Sequence, residues 1–111
     1  MKRLYTDQPD KGLFFHLEGP LVDTGIYEGT HRVVEVAGHR GKWSNARLIQ
    51  PGDKVKVTFN TLGTGTVVGY FVQEGFVGLE IKPDQRPDWH ITQNGSNHPH
   101  YTVFGAEVVA L

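Results

Sequence analysis

Residues 63–82 read GTGTVVGYFVQEGFVGLEIK, and the folding of this stretch decides what the rest of the chain can be. Thr66 to Gln73 is nearly continuous in apolar character, the pattern of a strand covered on both faces. Glu74-Gly75 then supplies a turn, because glycine takes the positive φ that a tight hairpin demands. Phe76 to Lys82 returns with Val77, Leu79 and Ile81 on one side of a period-2 alternation. The stretch is therefore expected to be a β-hairpin that serves as frame. Gly63-Thr64-Gly65 does not qualify as a phosphate cradle, since such a loop needs a helix opening after the glycines and a lysine at a fixed offset.

The same reading extends in both directions. Pro51-Gly52-Asp53 is a turn signal ahead of KVKVTFN (54–60), in which Val55, Val57 and Phe59 alternate with Lys54, Lys56 and Thr58. Together Val55, Val57, Phe59, Val67, Phe71, Val77, Leu79 and Ile81 are expected to form one contiguous core. Upstream, LFFHLE (13–18) alternates as a first strand, with Leu13, Phe15 and Leu17 on one face. LVDTGIYEG (21–29) and THRVVEVA (30–37) follow as extended segments divided at Gly29. GHRGKWSNAR (38–47) is basic, polar and glycine-punctuated, without a sustained period, and is expected to be an exposed loop. Downstream, PDQRPD (83–88) is a proline-bounded loop, DWHITQ (88–93) an expected short strand, and YTVFGAEVVAL (101–111) a final strand with Gly105 as a bulge. Residues 1–12 read as a loosely held lead-in.

Composition narrows the function classes. A chain of 111 residues suits a single all-β domain, and 14 glycines and 6 prolines imply many turns between short elements. The formal net charge of −1 gives no general attraction to a polyanion, so duplex binding is not favoured. With no cysteine there is no disulfide framework, thiolate nucleophile or cysteine zinc site. The start lacks the apolar core of a signal peptide and no apolar run approaches a membrane span, so no membrane partner and a cytoplasmic location are expected.

The layout PGDKVKVTFNTLGTGTVVGYFVQEGFVGLEIK (51–82), a turn feeding a strand, a glycine loop, a long strand and a shorter one, resembles that of SH3-like small barrels. Within that class it resembles the plasmid-borne type II dihydrofolate reductases over about a third of the chain. Gly52-Asp53-Lys54-Val55 is similar to the start of their first strand, and Val67-Val68-Gly69-Tyr70-Phe71 to their second. The resemblance implies a tetramer around a central pore, with a Val-Gln-Ile-Tyr segment on a later strand for substrate and cofactor. Such a segment is absent here, its nearest counterpart being Ile91-Thr92-Gln93. Gly52 to Val55 and Gly65-Thr66-Val67 also resemble the KOW type of barrel of ribosomal and transcription proteins. What these resemblances imply is a barrel enlarged by N-terminal strands, and much less an activity.

Candidate sites lie in the loops. His90-Ile91-Thr92 is similar to the His-x-Thr element of two-histidine phosphoesterases, but no second copy is present. His98 and His100 can point the same way from an extended backbone, with His90 as a third nitrogen ligand, but Pro99 and the Asn-Gly-Ser-Asn context favour a solvated surface loop over a metal site. Arg40, Lys42, Trp43 and Arg47 combine cations with an aromatic ring, chemistry able to hold single-stranded nucleic acid. The alternative for them is a solvated loop with Trp43 folded back onto the barrel. Neither Ser44 nor Ser96 has a base beside it, and no catalytic residue, metal or cofactor is assigned.

The ligand-binding surface is accordingly expected to join Arg40, Lys42, Trp43 and Arg47 with Trp89, His90, Gln93, His98 and His100. A non-catalytic binding or assembly module is the reading that follows. A small oligomeric enzyme of the type II dihydrofolate reductase kind and a single-stranded nucleic-acid-binding barrel are the alternatives. Tyr5, Phe14, Tyr27, Trp43, Phe76, Trp89 and Tyr101 exceed what one small barrel core can take in, so a homo-oligomer is expected.

Overall fold

A computed structural model describes residues 16–59, 62–94 and 100–111. Its elements are β1 (Val22–Glu28), β2 (His31–Val36), β3 (His39–Trp43), β4 (Lys54–Val57), β5 (Gly63–Gln73), β6 (Phe76–Pro83), α1 (Asp88–Asn94), β7 (Tyr101–Phe104) and β8 (Val108–Ala110). The strands make one sheet in the order β1-β2-β3-β6-β5-β4-β8, with β7 also paired to β6. The fold is all-β, its sheet curled into a half-barrel.

The expected hairpin is β5 with β6, paired antiparallel from Gly65 and Pro83 to Gln73 and Phe76. Glu74 at φ 54° and Gly75 at φ 80° both lie in the left-handed region, as a turn matched to the twist of its strands requires. Val67, Tyr70 and Val72 face inward opposite Ile81, Leu79 and Val77. Phe71 and Gln73 face outward and are also buried, so this strand is covered on both sides as its composition implies. Val55, Val57, Val67, Val77, Leu79 and Ile81 join one core with Tyr70, Trp43 and Val34, and Phe59 packs partly buried against it. Phe71 departs from the expected single core. Its ring lies on the other face, across Gly78 and 5.2 Å from the Phe104 ring.

Segment 38–47 is not a loop throughout. Ala37 at φ 50° and Gly38 at φ 81° turn the chain back along β2, and His39–Trp43 forms β3 with Arg40 opposite Glu35 and Lys42 opposite Val33. The inward positions of this strand are Gly41 and Trp43, so alternation was hidden by a glycine. A Cβ at position 41 would lie 3.0 Å from Val77 Cγ2, which explains why the strand carries no apolar residue there.

The segment 88–93 is helical, not extended. The Pro87 carbonyl accepts from the His90 and Ile91 amides at 3.0 and 3.3 Å, and the Thr92 hydroxyl donates to the Asp88 carbonyl at 3.0 Å. Proline and aspartate at the start of a short turn outweigh the β-preference of Trp, Ile and Thr. The final strand is split as well, because Gly105–Glu107 forms a 3-10 turn that sends β7 to β6 and β8 to β4. Of the expected first strand, Leu13 to Phe15 lie outside the described residues, as does the lead-in, and Leu17 alone bridges to Tyr70. Among the described residues no helix is long and apolar enough to cross a membrane.

Leu79 is fully enclosed between β5 and β7, so its truncation should leave a cavity. Leu79→Ala is expected to cost about 2–5 kcal/mol in urea unfolding. A loss under about 1 kcal/mol would refute this core.

Candidate functional site

Strand β1 is one edge of the sheet and carries three exposed apolar groups, Val22 at 51 %, Ile26 at 49 % and Tyr27 at 62 %, where the other edge, β8, carries Val109 alone. Its course is irregular. The register against β2 shifts between Asp23 and Ile26, where the Thr24 hydroxyl donates to the Val33 carbonyl at 2.8 Å and the Gly25 amide to Asp23 Oδ1 at 2.8 Å. This bulge twists the edge and interrupts the row of backbone groups that a new strand would need.

Behind Tyr27, across the ladder, stand Arg32 and Trp43. Tyr27, Thr30, Arg32, Ser44 and Asn45 line a cleft of about 400 Å³ with Trp43 at its base. The Asn45 amide is committed, donating to the Gly105 and Val108 carbonyls at 2.7 and 3.1 Å while its oxygen accepts from the Arg47 amide. Arg32 meets Asp23 at 3.5 Å, and its side chain is about a third exposed. The cleft thus offers an exposed phenol ring, a cation and hydroxyls: a surface suited to a polar or aromatic side chain of a partner.

The sequence-based candidates are distributed differently. Arg40 and Lys42 share the outer face of β3, Arg40 bound to Glu35 at 2.9 Å and Lys42 over the Phe76 ring at 4.6 Å. Trp43 faces the opposite way and is 2 % exposed; its indole donates to the Arg47 carbonyl at 2.7 Å and meets Tyr70 edge-on at 6.4 Å. Arg47 is exposed beyond it. Trp89, His90 and Gln93 lie on α1, Trp89 37 % exposed and His90 buried. His90 Nδ1 accepts from Arg86, and its ring meets Tyr101 at 4.8 Å. Burial, and then the Arg86 cation, hold His90 below the ordinary histidine range.

His100 instead reaches Glu80 on the opposite face of the sheet from Tyr101, so His90 and His100 do not converge. His98 lies outside the described residues, and among those described no group of three His, Asp or Glu side chains is placed to hold a metal ion. A second cleft, of about 530 Å³, runs beside α1, but Asp84 in it is occupied by Lys54 at 2.6 Å and Thr64 at 2.7 Å. This second cleft is lined by Leu62, Gly63, Thr64 and residues 84–88, and it includes neither Trp89 nor His90. The β1 edge went unnoticed because Ile26 and Tyr27 read as an ordinary paired strand; the surplus of aromatic residues was the one signal pointing there.

No family model matches the chain, and no curated protein or solved structure matches it either.

The enclosure of Trp43 has a direct consequence. Trp43→Ala should lower stability by about 3–5 kcal/mol, the cost of emptying a buried aromatic site. A variant as stable as the parent would mean that the indole is a surface group.

Proposed function

We propose that the protein is a non-catalytic binding or assembly module on a small SH3-like barrel, and that it works in the cytoplasm as a homo-oligomer joined through β1. The observation that carries this reading is the exposure of Val22, Ile26 and Tyr27 together on one edge strand. Singly exposed apolar side chains are ordinary, but here Val22 and Ile26 share the outer face of the edge strand while Tyr27 stands on its other face beside the polar cleft, so both faces of the edge offer apolar surface to a contact between proteins. The bulge disfavours continuing the sheet from copy to copy, so the contact is one of side-chain faces about a two-fold axis. The layout of residues 51–82 supports the barrel class. The enzyme reading lacks equivalent support, because Ile91-Thr92-Gln93 lies on α1 and not on a strand. Nor does the nucleic-acid reading gain any, because the Trp43 ring is enclosed and unavailable for stacking.

Light scattering at tens of micromolar should therefore give at least twice the chain mass of 12.4 kDa. Ile26→Lys should return the mass to that of one chain with little change in Tm. A monomeric parent overturns the proposal. A shift in the parent's Tm on adding millimolar pyridine nucleotide would favour the enzyme instead.

A further inference from the structure

Glu80 projects from the outer face of β6 and is 5 % exposed, a position in which a carboxylate is stable only with partners. Its oxygens are taken by two imidazoles, His16 Nδ1 at 2.5 Å from Oε1 and His100 Nδ1 at 3.1 Å from Oε2. No lysine or arginine among the described residues pairs with it, and Lys82, on the same face of β6, is exposed. Gly69 stands opposite Glu80 in the β5–β6 ladder and makes the room, for a Cβ there would lie 2.9 Å from His16 Cε1 and 3.0 Å from the Leu17 carbonyl oxygen. Thr102, opposite Glu80 on β7, is 6 % exposed and adds on the same face a hydroxyl without a hydrogen-bond partner among the described residues.

His16 belongs to the segment that leads into β1. Beside it Leu17 exchanges backbone hydrogen bonds with Tyr70 at 2.8 and 2.9 Å, and Leu21 is gripped at both its amide and carbonyl by the Gln50 side chain. We propose that His16, Glu80 and His100 form a protonation-dependent clasp that fixes this segment to the outer face of the sheet, closed while His16 carries its proton and weakened when that proton is lost. Among the described residues, the charged and titratable groups at His16 are Glu80 from β6, Glu18 from its own segment at 3.4 Å and, across Glu80, His100 from the approach to β7, while Gly69 of β5 adds none.

The direction of the pH dependence follows. The hydrogen bond to Glu80, opposed by burial and aided by the Glu80 and Glu18 charges, holds His16 above the ordinary histidine range. A raised folded-state pKa contributes stability that is fully present below the unfolded value and is lost as pH rises through the folded one. The clasp is therefore tightest in mildly acidic solution and loosens on the alkaline side. Its closed-to-open ratio falls by up to about tenfold for each unit by which His16 is raised.

The test is the NMR ring titration of His16 in the full chain, together with Tm at about pH 6 and about pH 9 for the parent, His16→Gln, Glu80→Gln and, as a control, His39→Gln. The His16 midpoint is expected above that of histidine in an unstructured peptide and should drop in Glu80→Gln. The parent's Tm should fall between the two conditions, the fall being smaller in His16→Gln and unchanged in His39→Gln. A peptide-like titration of His16, or a His16→Gln variant that keeps the parent's full Tm difference, overturns the clasp. Should Glu80→Gln fail to fold, the parent titration and His16→Gln decide.

Discussion

The ring of Phe71 lies across Gly78 in space that any side chain at that position would fill, and this contact pins the register of β5 against β6. A slip of one residue would bring Val77 or Leu79 under the ring and turn the inward row Val67, Tyr70, Ile81 and Leu79 toward the other face. The consequences spread because β6 pairs with more than β5. It takes β3 at Phe76 and β7 from Gly78 to Ile81, so both halves of the curled sheet hang from one strand. Tyr70 then ties the core to the loop before β4, its hydroxyl donating to the Ile49 carbonyl at 2.5 Å, and burial pushes its phenol well above the ordinary range.

The all-β class, the β5–β6 hairpin and most of the core were legible from alternation, since Val55, Val57, Val67, Val77, Leu79 and Ile81 each obey period 2 and each fall inside. The failures share a cause, which is that a long-range contact overrode or concealed a local pattern. In β3 the inward position that alternation would fill with an apolar residue is Gly41, emptied by the approach of Val77. In α1 the proline-aspartate start won over β-branched residues, and at Gly105 the close packing of Asn45 turned one strand into two.

The site was less legible than the fold. Trp43 carries polar neighbours in sequence and apolar neighbours in space, so its enclosure became visible only once β3 placed it against Tyr70. Glu80 posed the opposite difficulty. Nothing in FVGLEIK distinguishes it from a solvated strand carboxylate, because the residues that bury it, His16 and His100, stand 64 and 20 positions away. Such a group can be found only when the register that brings Gly69, Glu80 and Thr102 abreast is known.

Covered centre and exposed edge are thus separated in this molecule: the middle of the sheet is covered on both faces, while exposed apolar side chains stand on β1 with a polar cleft behind it. Native-state amide hydrogen exchange tests that division most directly, because local and global opening are read residue by residue. Amides of β5 and β6 are expected to exchange slowest, through global unfolding alone, and those of β1 fastest in the sheet. Protection of β1 equal to that of β5, or early opening of the β5–β6 hairpin, would contradict it.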